Sequence, residues 1–340
     1  MSDPRAAAAI IGAGSWGTAL AVLLGRAGLA VRLWARRAEM ARSLRLRREN
    51  QQYLPGVTLA DSVECHDDVA AALDGAEMVV LAVPSRGMRE TVRALRPHLA
   101  PQHRLISAAK GLEHDTGLRM TQVIAEELPQ PWGACPACLS GPNLAAEVAA
   151  GIATTTVVAC ADPELARRAQ QVFMQPTFRV YTNSDVVGVE LGGALKNVIA
   201  IGAGINDGLG FGDNTKAALV TRGLAEITRL GVALGASPAT FTGLSGIGDL
   251  VATCTSRRSR NHYVGYHLAL GRALDDILGG MDMIAEGVPT TRAAVRLAQQ
   301  AQVEMPITRA VHAVLFEGMQ PSEAVRQLML RDARDECERL

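Results

Sequence analysis

The sequence predicts an α/β protein in which a doubly wound sheet is followed by an all-α C-terminal domain. Three observations indicate this. A glycine-rich turn stands between the first strand and the first helix, short apolar strands alternate with helices up to about residue 184, and helical periodicity takes over from there. A chain of 340 residues can form two cores. We therefore predict a Rossmann-type domain at residues 1–184 and a helical domain at residues 185–340.

The composition is that of an ordinary globular protein. Apolar residues make up 48% of the chain and charged residues 20%, so disorder is not expected. The formal net charge of zero gives no reason to expect nucleic acid or an anionic membrane as a partner. Arg5 and the apolar run to Leu24 imitate a signal peptide, but the glycines in that run favour a strand, a turn and a helix. We expect no stable membrane insertion and, because six scattered cysteines form no disulfide framework, a cytoplasmic location.

The first predicted strand, Ala7–Ile11, leads through a GxGxxG turn into a helix over Thr18–Arg26. A turn of this kind in this position is a dinucleotide-binding signature. Gly12 permits the tight turn, Gly14 lets the pyrophosphate approach the backbone, and Gly17 lets the helix pack close to the strand. The phosphates are expected at the helix N-terminus, where backbone N–H groups and the helix dipole favour an anion.

The second predicted strand, Ala30–Trp34, is followed by Arg36 and Arg37, where a site for NAD would usually carry Asp or Glu. Two arginines can pair with a 2′-phosphate, which a carboxylate would repel. We therefore predict NADP as the preferred cofactor and NAD as the alternative, which the nearby Glu39 leaves open. The basic run continues at Arg42, Arg45, Arg47 and Arg48. We interpret that run as a solvated helix face, because no aromatic residues interleave as they do in nucleic-acid sites.

Further strands and one helix complete the predicted sheet domain. The strands are expected at Glu77–Val83, Arg104–Ala109, around Leu139, at Ala153–Cys160 and at Phe178–Thr182, and the helix at Pro163–Phe173. Ligands of open α/β sheets bind beyond the carboxyl ends of the strands. Lys110 follows such an end and is expected to face the binding cleft, although a surface lysine is an equally good interpretation. Asn143 follows a Gly-Pro turn and is a candidate helix cap.

Cys135 and Cys138 have the spacing of a redox pair or of half a zinc site. The sequence has no second CxxC pair and no suitably spaced histidines to complete four ligands. The pair also precedes a strand, whereas a redox pair normally begins a helix. We predict neither role, and no metal site.

The helix predicted at Glu190–Asn206 is apolar on nearly every side but contains Lys196. Gly192 and Gly193 lie one turn earlier on the face of this lysine, at a cost of roughly 1 kcal/mol each in helix propensity. Such glycines indicate that something lies against the helix backbone. A buried lysine is disfavoured as a cation, which lowers its pKa and suits it to proton transfer. The alternative is a lysine that extends from a core helix to the surface.

A group of hydrogen-bond donors follows in the second half of the chain. Asp249 lies in a tight glycine-rich loop, and Ser259, Arg260 and Asn261 come soon after. A hydroxyl, a guanidinium and an amide close together suit a small phosphate ester, although a charged surface loop would look the same. Together with a nicotinamide site, they predict hydride transfer to a phosphorylated carbonyl compound. Lys196 would donate the proton to the carbonyl oxygen, and Asp249 would hold the lysine or a substrate hydroxyl.

Several motifs together resemble the bacterial NAD(P)-dependent glycerol-3-phosphate dehydrogenase family. They are IGAGSWGTA, AAKGLE, SGPNLAAE, the block from VGVELGG to DNTKAAL, GLSGIGDLVATCTS, SRN and AEGVPT, in that order over nearly the whole chain. The resemblance implies reduction of dihydroxyacetone phosphate to sn-glycerol 3-phosphate, the backbone for phospholipid synthesis. It makes Lys196 the proton acceptor of the oxidative direction. It also implies a small-molecule substrate, and we add a homodimer as an expectation.

The resemblance assigns further residues to the site. Those implied to contact the cofactor are Ser15, Trp16, Arg36, Lys110, Ala145, Arg260, Ile284 and Glu286. Those implied to hold the substrate are Lys110, Gly141, Asp249, Ser259, Arg260 and Asn261. Where many members read GPTFAKE, this chain reads GPNLAAE from Gly141 to Glu147. Contacts that the family makes through the Thr and Phe side chains are therefore not expected here.

Two other functions fit parts of the sequence. A related β-hydroxyacid dehydrogenase also pairs a Rossmann domain with a lysine in a helical domain, but it acts on a carboxylate, and the Ser259–Asn261 cluster favours phosphate. A dinucleotide-sensing regulator without turnover would bind cofactor but would not depend on Lys196.

Overall fold

A computed structural model describes residues 8–333 and 335–336, and the first residue of the predicted strand Ala7–Ile11 lies outside this range. The chain divides into two compact units. Unit 1 comprises the residues up to Ala109 and Met120–Val186, and unit 2 comprises Lys110–Arg119 and the residues from Val187 onward. A single division at residue 184 would leave residues 110–119 with the sheet, whereas in the structure this segment clusters with the helices.

Unit 1 is built on an eight-stranded sheet and a two-stranded hairpin. The strands are β1 Ala8–Ile11, β2 Val31–Trp34, β3 Glu49–Asn50, β4 Leu54–Thr58, β5 Val63–His66, β6 Met78–Leu81, β7 Arg104–Ser107, β8 Ala137–Ser140, β9 Thr154–Ala159 and β10 Phe178–Asn183. The order in the large sheet is β10-β9-β8-β7-β6-β1-β2-β5, and β3 pairs with β4.

The connections of the sheet determine where a ligand can bind. β1 lies between β2 and β6 and runs parallel to both, so the chain winds in opposite directions from the centre. Only the β8–β9 pair among the described strands of this sheet is antiparallel. The site beyond the carboxyl end of β1 is therefore the topological switch point, where doubly wound sheets bind ligands.

Helices flank this sheet in the expected alternation. They are α1 Ser15–Arg26, α2 Ala38–Arg47, α3 Val69–Leu73, α4 Met88–Leu95, α5 Met120–Glu127, α6 Ala145–Ala150 and α7 Pro163–Phe173. The sequence analysis did not predict β5 or the β3–β4 hairpin, because these strands are short and carry little apolar periodicity. The central strands β1 and β6 are buried along their whole length, which explains their continuous apolar sequence.

Arg48 departs from the predicted solvated helix face. It ends α2 in the left-handed conformation, with φ of 53°. Its guanidinium turns inward and donates to the carbonyl oxygens of Val63, at 2.8 Å, and of Ala60. The interpretation of Arg48 as a solvated residue is wrong, because these carbonyls beside β5 need donors.

Unit 2 is helical. Its helices are α8 Val186–Gly208, α9 Asp213–Ala233, α10 Pro238–Phe241, α11 Asp249–Thr255, α12 Arg260–Ala269, α13 Leu274–Gly279, α14 Gly287–Gln300, α15 Pro306–Phe316 and α16 Pro321–Met329. The predicted helix around Lys196 lies within α8. By length and composition α8 could cross a membrane, but 83% of its apolar window is buried inside the protein, as in a core helix.

Glycines bring α8 and α12 into backbone contact. A Cβ added at Gly204 of α8 would lie 2.0 Å from the carbonyl oxygen of His262, and one at Gly265 of α12 would lie 1.9 Å from that of Ile201. No larger residue fits on either side of this crossing. The crossing fixes the N-terminus of α12, with Ser259 to Asn261, beside the middle of α8.

The segment Lys110–Arg119 is attached to the helices of unit 2 by one apolar contact and two ion pairs. Leu112 belongs to the apolar core that contains α8. Arg119 Nη1 donates to Glu190 Oε2 at 2.6 Å, and both side chains are largely buried. Lys110 forms an ion pair with Asp249. The segment thus supplies a lysine to the helical unit although it follows a strand of the sheet.

Candidate active site

The glycine-rich turn in unit 1 has the geometry of a phosphate-binding turn. Gly12 has φ of +115°, and an added Cβ there would lie 2.7 Å from the carbonyl oxygen of Ala82. At Gly17 an added Cβ would lie 1.9 Å from the carbonyl oxygen of Gly12, so the helix start must be glycine to pack this closely. Around Gly14, by contrast, an added Cβ would meet nothing within 4 Å. The backbone at Gly14 is therefore open to a ligand.

The start of α1 can accept negative charge. Gly14 is the N-cap and offers no side chain to the first N–H groups, and the first turn contains no acidic residue. These N–H groups and the positive end of the helix dipole favour an anion such as a pyrophosphate. Ser15 begins this helix, and Trp16 follows with a buried indole Nε1 that has no hydrogen-bond partner among the described residues. An orphaned buried donor beside the turn fits a ligand with acceptor atoms.

Arg36 and Arg37 lie just beyond the carboxyl end of β2, and both are exposed. Arg37 Nη2 donates to Gln52 Oε1 at 2.8 Å and to Tyr53 Oη at 3.2 Å, so it is engaged with the β3–β4 hairpin. Arg36 has no hydrogen-bond or ion-pair partner within residues 8–333 and 335–336. Of the two arginines, Arg36 is the one whose charge is available to an anionic ligand.

Gly141 and Asn143 follow the carboxyl end of β8. Gly141 has φ of +139°, and an added Cβ would lie 3.1 Å from Thr156 Cα. Asn143 Nδ2 donates to the carbonyl oxygen of Thr155 at 2.9 Å, and its Oδ1 accepts from Thr156 Oγ1 at 3.0 Å. The prediction that Asn143 caps a helix is wrong, because its amide is held by β9 and the N-cap of α6 is Leu144. Ala145 begins α6 and packs against the core of unit 1.

Lys196 is buried at the middle of α8 in unit 2, with 6% of its surface exposed. Its Nζ donates to Thr253 Oγ1 at 2.5 Å and lies 2.8 Å from Asp249 Oδ1. The alternative of a lysine that reaches the surface is therefore wrong. A Cβ added at Gly192 would lie 2.4 Å from the carbonyl oxygen of Ser245, so the turn before α11 lies directly on the glycine face of α8. This is the backbone contact that the flanking glycines predicted.

Asp249 connects two lysines. It is 2% exposed, and while Oδ1 pairs with Lys196, Oδ2 accepts from Lys110 Nζ at 2.9 Å. Thr253 Oγ1 donates to the carbonyl oxygen of Asp249 at 2.7 Å and so presents its lone pair to Lys196. The sequence analysis missed Thr253. Its spacing of four residues from Asp249 on one helix was the signal that could have found it.

The surroundings of Lys110 displace its pKa. Burial, opposed by the Asp249 carboxylate and aided by the nearby Lys196 cation, lowers the pKa of Lys110 to about 8. With both lysines protonated, the group of two ammonium ions and one carboxylate carries one positive charge. Loss of one proton leaves it neutral. Proton transfer out of this group therefore leaves no uncompensated charge in a buried site.

A chain of amide hydrogen bonds supports the lysine group. Asn197 Nδ2 donates to the carbonyl oxygen of Lys110 at 3.0 Å, and Asn261 Nδ2 donates to Asn197 Oδ1 at 2.8 Å. Gly287 N then donates to Asn261 Oδ1 at 2.8 Å. An added Cβ at Gly287 would lie 2.6 Å from the carbonyl oxygen of Asn197, so only glycine fits at the start of α14. Asn261, predicted to bind substrate, has both ends of its amide engaged in this chain.

Ser259 and Arg260 form the N-terminus of α12. Ser259 Oγ caps the helix by accepting from His262 N at 3.3 Å, and its hydroxyl proton stays available for donation. Arg260 Nη1 donates to the carbonyl oxygen of Ile284 at 2.6 Å. Burial lowers the pKa of Arg260, and the carboxylate of Glu286 opposes this effect. Ile284 and Glu286 thus lie beside Arg260, at the approach to α14.

The cysteine pair predicted to have no function is not a pair in space. Cys138 is buried in β8, and the Sγ of Cys135 lies 3.6 Å from that of Cys160 instead. Burial raises the pKa of the Cys160 thiol to about 12, so it is a poor nucleophile. Within residues 8–333 and 335–336, no three His, Cys, Asp or Glu side chains are arranged to hold a metal ion.

Comparison with known proteins identifies the family. The family model described as the N-terminus of NAD-dependent glycerol-3-phosphate dehydrogenase matches residues 7–166, and the model of its C-terminus matches residues 185–326. The chain belongs to the NAD-dependent glycerol-3-phosphate dehydrogenase family. The predicted family, the predicted fold class and the predicted oxidoreductase activity, that of a glycerol-3-phosphate dehydrogenase using NAD(P), are thereby confirmed.

Individual members of this family are similar over nearly the whole chain. The glycerol-3-phosphate dehydrogenase [NAD(P)+] of Moorella thermoacetica is 53% identical over 331 residues, which are 97% of each chain. That of Geobacillus kaustophilus is 51% identical over 333 residues, or 98% of this chain and 96% of the relative. The crystal structure of glycerol-3-phosphate dehydrogenase from Coxiella burnetii has a TM-score of 0.92 and 37% identity, covering 97% of this chain and 100% of that one.

Proposed function

We propose that the chain reduces dihydroxyacetone phosphate to sn-glycerol 3-phosphate with NADPH, reversibly, and that Lys196 transfers the proton. The observation that carries this proposal is the buried group in which Asp249 pairs with Lys196 and with Lys110. An enzyme that reduces a carbonyl by hydride transfer needs a proton donor for the carbonyl oxygen, held in a fixed position away from bulk water, and this group provides one. Family membership supports the substrate.

A bound nicotinamide dinucleotide supplies a hydride to the carbonyl carbon, and accepts it in the reverse direction. Lys196 Nζ donates a proton to the carbonyl oxygen, and Asp249 and Thr253 hold that amine in place from two sides. Lys110 contributes a second positive charge within the same group, which stabilises the negative charge that develops on the oxygen. In the oxidative direction Lys196 accepts the proton of the substrate hydroxyl.

The phosphate of the substrate is proposed to bind at the N-terminus of α12. Arg260 provides a guanidinium, Ser259 a hydroxyl, and the first turn of the helix provides backbone N–H groups. Asn261 is proposed to contribute indirectly, because its amide holds Asn197 and the start of α14. Gly141 is proposed to contact the substrate through its backbone.

The cofactor is proposed to bind unit 1 at the glycine-rich turn. Its pyrophosphate would be surrounded by the residues of this turn, Gly12, Gly14, Ser15, Trp16 and Gly17. Its 2′-phosphate would contact Arg36. The open backbone at Gly14 and the orphaned indole N–H of Trp16 support this fit. The family resemblance implies further cofactor contacts, which are proposed at Ala145, Lys110, Arg260, Ile284 and Glu286. On this basis the predicted division into a cofactor domain at residues 1–184 and a substrate domain at residues 185–340 is proposed with one change, that Lys110–Arg119 belongs to the substrate domain.

Removal of the Arg36 side chain is expected to reduce the preference for NADPH. In Arg36→Ala the KM for NADPH should rise ~10-fold or more, because a charge-assisted hydrogen bond to the 2′-phosphate is lost. The KM for NADH should change less than ~2-fold, since NADH has no such phosphate. Steady-state kinetics with both cofactors measure this, and Arg37→Ala is the matched control with a smaller expected effect. A wild-type preference for NADH would show that the interpretation of both arginines is wrong.

The activity is expected to fall as the pH rises above about 8. Burial lowers the pKa of Lys110 to about 8, so the free enzyme loses an ammonium that attracts the anionic substrate. A pH profile of kcat/KM for dihydroxyacetone phosphate should show this fall in the wild type. In Lys110→Arg the fall near pH 8 should be absent, because a guanidinium remains charged. A wild-type profile that stays flat up to about pH 9.5 would contradict this role of Lys110.

The same pKa has a consequence for stability. Between about 8 and the ordinary value of 10.5, the unfolded chain binds the Lys110 proton and the folded protein does not. Stability therefore rises with pH across this window through this group, and the contribution is lost as the pH falls through about 8.

A direct assay separates the proposed function from its alternatives. NADPH oxidation is followed with dihydroxyacetone phosphate and, separately, with 3-oxo and 2-oxo carboxylates of similar size. The proposal expects turnover with the phosphate ester alone. Faster turnover of a carboxylate would favour the β-hydroxyacid dehydrogenase, and cofactor binding with no turnover of any substrate would favour a regulator.

A homodimer and a cytoplasmic location remain proposals. The free state of Cys65, Cys135, Cys138, Cys160 and Cys254 agrees with a reducing compartment. Cys337 lies outside the described residues. Light scattering after size-exclusion chromatography would test the dimer.

A further inference from the structure

Asn50 is a buried amide that joins the β3–β4 hairpin to the glycine-rich turn. It is 1% exposed. Its Nδ2 donates to the carbonyl oxygen of Ala13 at 3.0 Å and to Thr18 Oγ1 at 2.7 Å, and its Oδ1 accepts from Tyr53 N at 3.1 Å. A primary amide has two N–H donors and one carbonyl acceptor, so one side chain uses all three groups here. Few other residue types could satisfy the three partners at once.

The bond to Ala13 determines how the turn presents its backbone. In a trans peptide the carbonyl of one residue and the N–H of the next point in opposite directions. By holding the carbonyl oxygen of Ala13 on the hairpin side, Asn50 directs the N–H of Gly14 to the other side. Gly14 is the position around which an added Cβ would meet nothing. The bond to Thr18 fixes the first turn of α1 in the same way.

The other side of Asn50 reaches the end of β2. Its Oδ1 fixes the backbone of Tyr53, whose hydroxyl accepts from Arg37 at 3.2 Å. Gln52 in the same hairpin accepts from Arg37 at 2.8 Å. The hairpin therefore contacts the turn that is proposed to face the pyrophosphate, and it also holds Arg37, the chain neighbour of the Arg36 that is proposed to face the 2′-phosphate.

We propose that Asn50 is a positioning residue of the dinucleotide site, which sets the orientation of the Ala13–Gly14 peptide and couples the pyrophosphate turn to the Arg37 end. This inference rests on the proposed function, because it requires that a dinucleotide binds at the turn. Asn50 itself does not touch the reacting atoms. Its loss therefore weakens cofactor binding and leaves the chemical step nearly unchanged.

The test measures NADPH binding without turnover, by the change in fluorescence of the bound dinucleotide. Asn50→Asp keeps the shape of the side chain but removes both N–H donors and places a negative charge behind the turn. The Kd for NADPH should rise at least ~10-fold, since a misdirected N–H forfeits a charge-assisted hydrogen bond to phosphate. At saturating NADPH, kcat should stay within ~3-fold of the wild type, as expected for a lost binding interaction.

A matched control lies next to Asn50. Glu49 Oε1 accepts from Gly56 N at 2.8 Å and stabilises the hairpin without contacting the turn. In Glu49→Ala the Kd for NADPH should stay within ~2-fold of the wild type, because the turn keeps its hydrogen bonds. A loss in Glu49→Ala as large as that in Asn50→Asp would overturn the inference, since the hairpin as a whole would then be responsible.

Thr18→Val is a second test variant, for use if Asn50→Asp does not fold. It keeps the side-chain shape and removes one acceptor of the Asn50 amide. NADPH should bind more weakly to it than to the wild type. Wild-type affinity in folded Asn50→Asp, or in Thr18→Val where the former does not fold, overturns this inference alone. Failure of the wild type to bind NADPH would overturn the proposed function as well.

Discussion

Lys196→Ala is expected to lower kcat at least ~10²-fold while NADPH binding is largely kept, because the variant loses the proposed proton donor. The amine of Lys196 is buried and held by Thr253 and Asp249, so water cannot readily take over its position. The cofactor is proposed to bind unit 1, whereas Lys196 belongs to unit 2. Steady-state kinetics with dihydroxyacetone phosphate measure the loss, and a fluorescence titration measures cofactor binding.

Lys216→Ala is the matched control for this prediction. Lys216 is also a lysine of unit 2 in an ion pair, with its Nζ 2.8 Å from Asp207, but the pair lies nearer the surface. Its removal should change kcat less than ~3-fold, as is usual for a residue outside the reacting group. Retention of more than a tenth of wild-type turnover in Lys196→Ala would contradict the proton-transfer role.

Asp249→Asn is expected to damage both stability and activity. The substitution keeps the shape but leaves the ammonium groups of Lys110 and Lys196 buried without their common carboxylate. Removal of one partner from a buried ion pair typically costs about 3–5 kcal/mol in the free energy of unfolding. Urea denaturation measures this cost. In the protein that remains folded, kcat/KM should fall ~10²-fold or more, because Lys196 is no longer held in place.

Asp207→Asn provides the comparison for Asp249→Asn. Asp207 also pairs with a lysine and with His262, but its side chain is 25% exposed. Water can hydrate the charged partners of Asp207 when the carboxylate is removed, so a loss of about 1 kcal/mol in the free energy of unfolding is expected. Equal effects of the two substitutions on stability, with unchanged kcat/KM for Asp249→Asn, would show that the lysine pair does not depend on Asp249.

The features predicted correctly from the sequence are those with a local pattern. The glycine spacing around Gly12 and Gly17 is readable along the chain, because a Cβ added at Gly17 would meet the carbonyl oxygen of Gly12 five residues earlier. Lys196 was found because Gly192, one helical turn earlier, gives the helix an unusual local composition. The structure shows that this glycine lets the Ser245 backbone lie against α8. The apolar runs of β1 and β6 are buried on both faces, which makes them continuous.

Two of the features that were missed, the partners of Asn143 and the role of Asn50, depend on residues distant in sequence. Asn143 looks like a helix cap from its neighbours, but its amide is taken by Thr155 and Thr156 of β9. Asn50 carries no local signal at all, because its partners Ala13 and Thr18 lie more than thirty residues earlier. Side-chain amides pair equally well with near and distant backbone groups, so sequence pattern alone does not identify their partners.

The structure was also needed to show which predicted residues are engaged with neighbouring side chains. Arg36 and Arg37 are equivalent in the sequence, yet only Arg37 is engaged with the hairpin. Asn261 was predicted as a substrate ligand, and the structure adds that its amide donates to Asn197 and accepts from Gly287 N. A residue type suited to a ligand is equally suited to a neighbouring side chain, and only the geometry distinguishes the two.

Chemical rescue of Lys196→Ala tests the central claim most directly. Hydride transfer from NADPH to dihydroxyacetone phosphate is followed by the absorbance of the dinucleotide in single turnovers, with small primary amines added at increasing concentration. If Lys196 is the proton donor, the rate should rise in proportion to the amine concentration and follow the protonated fraction of the amine. A variant that binds both ligands and turns over at a wild-type rate without amine would contradict the claim.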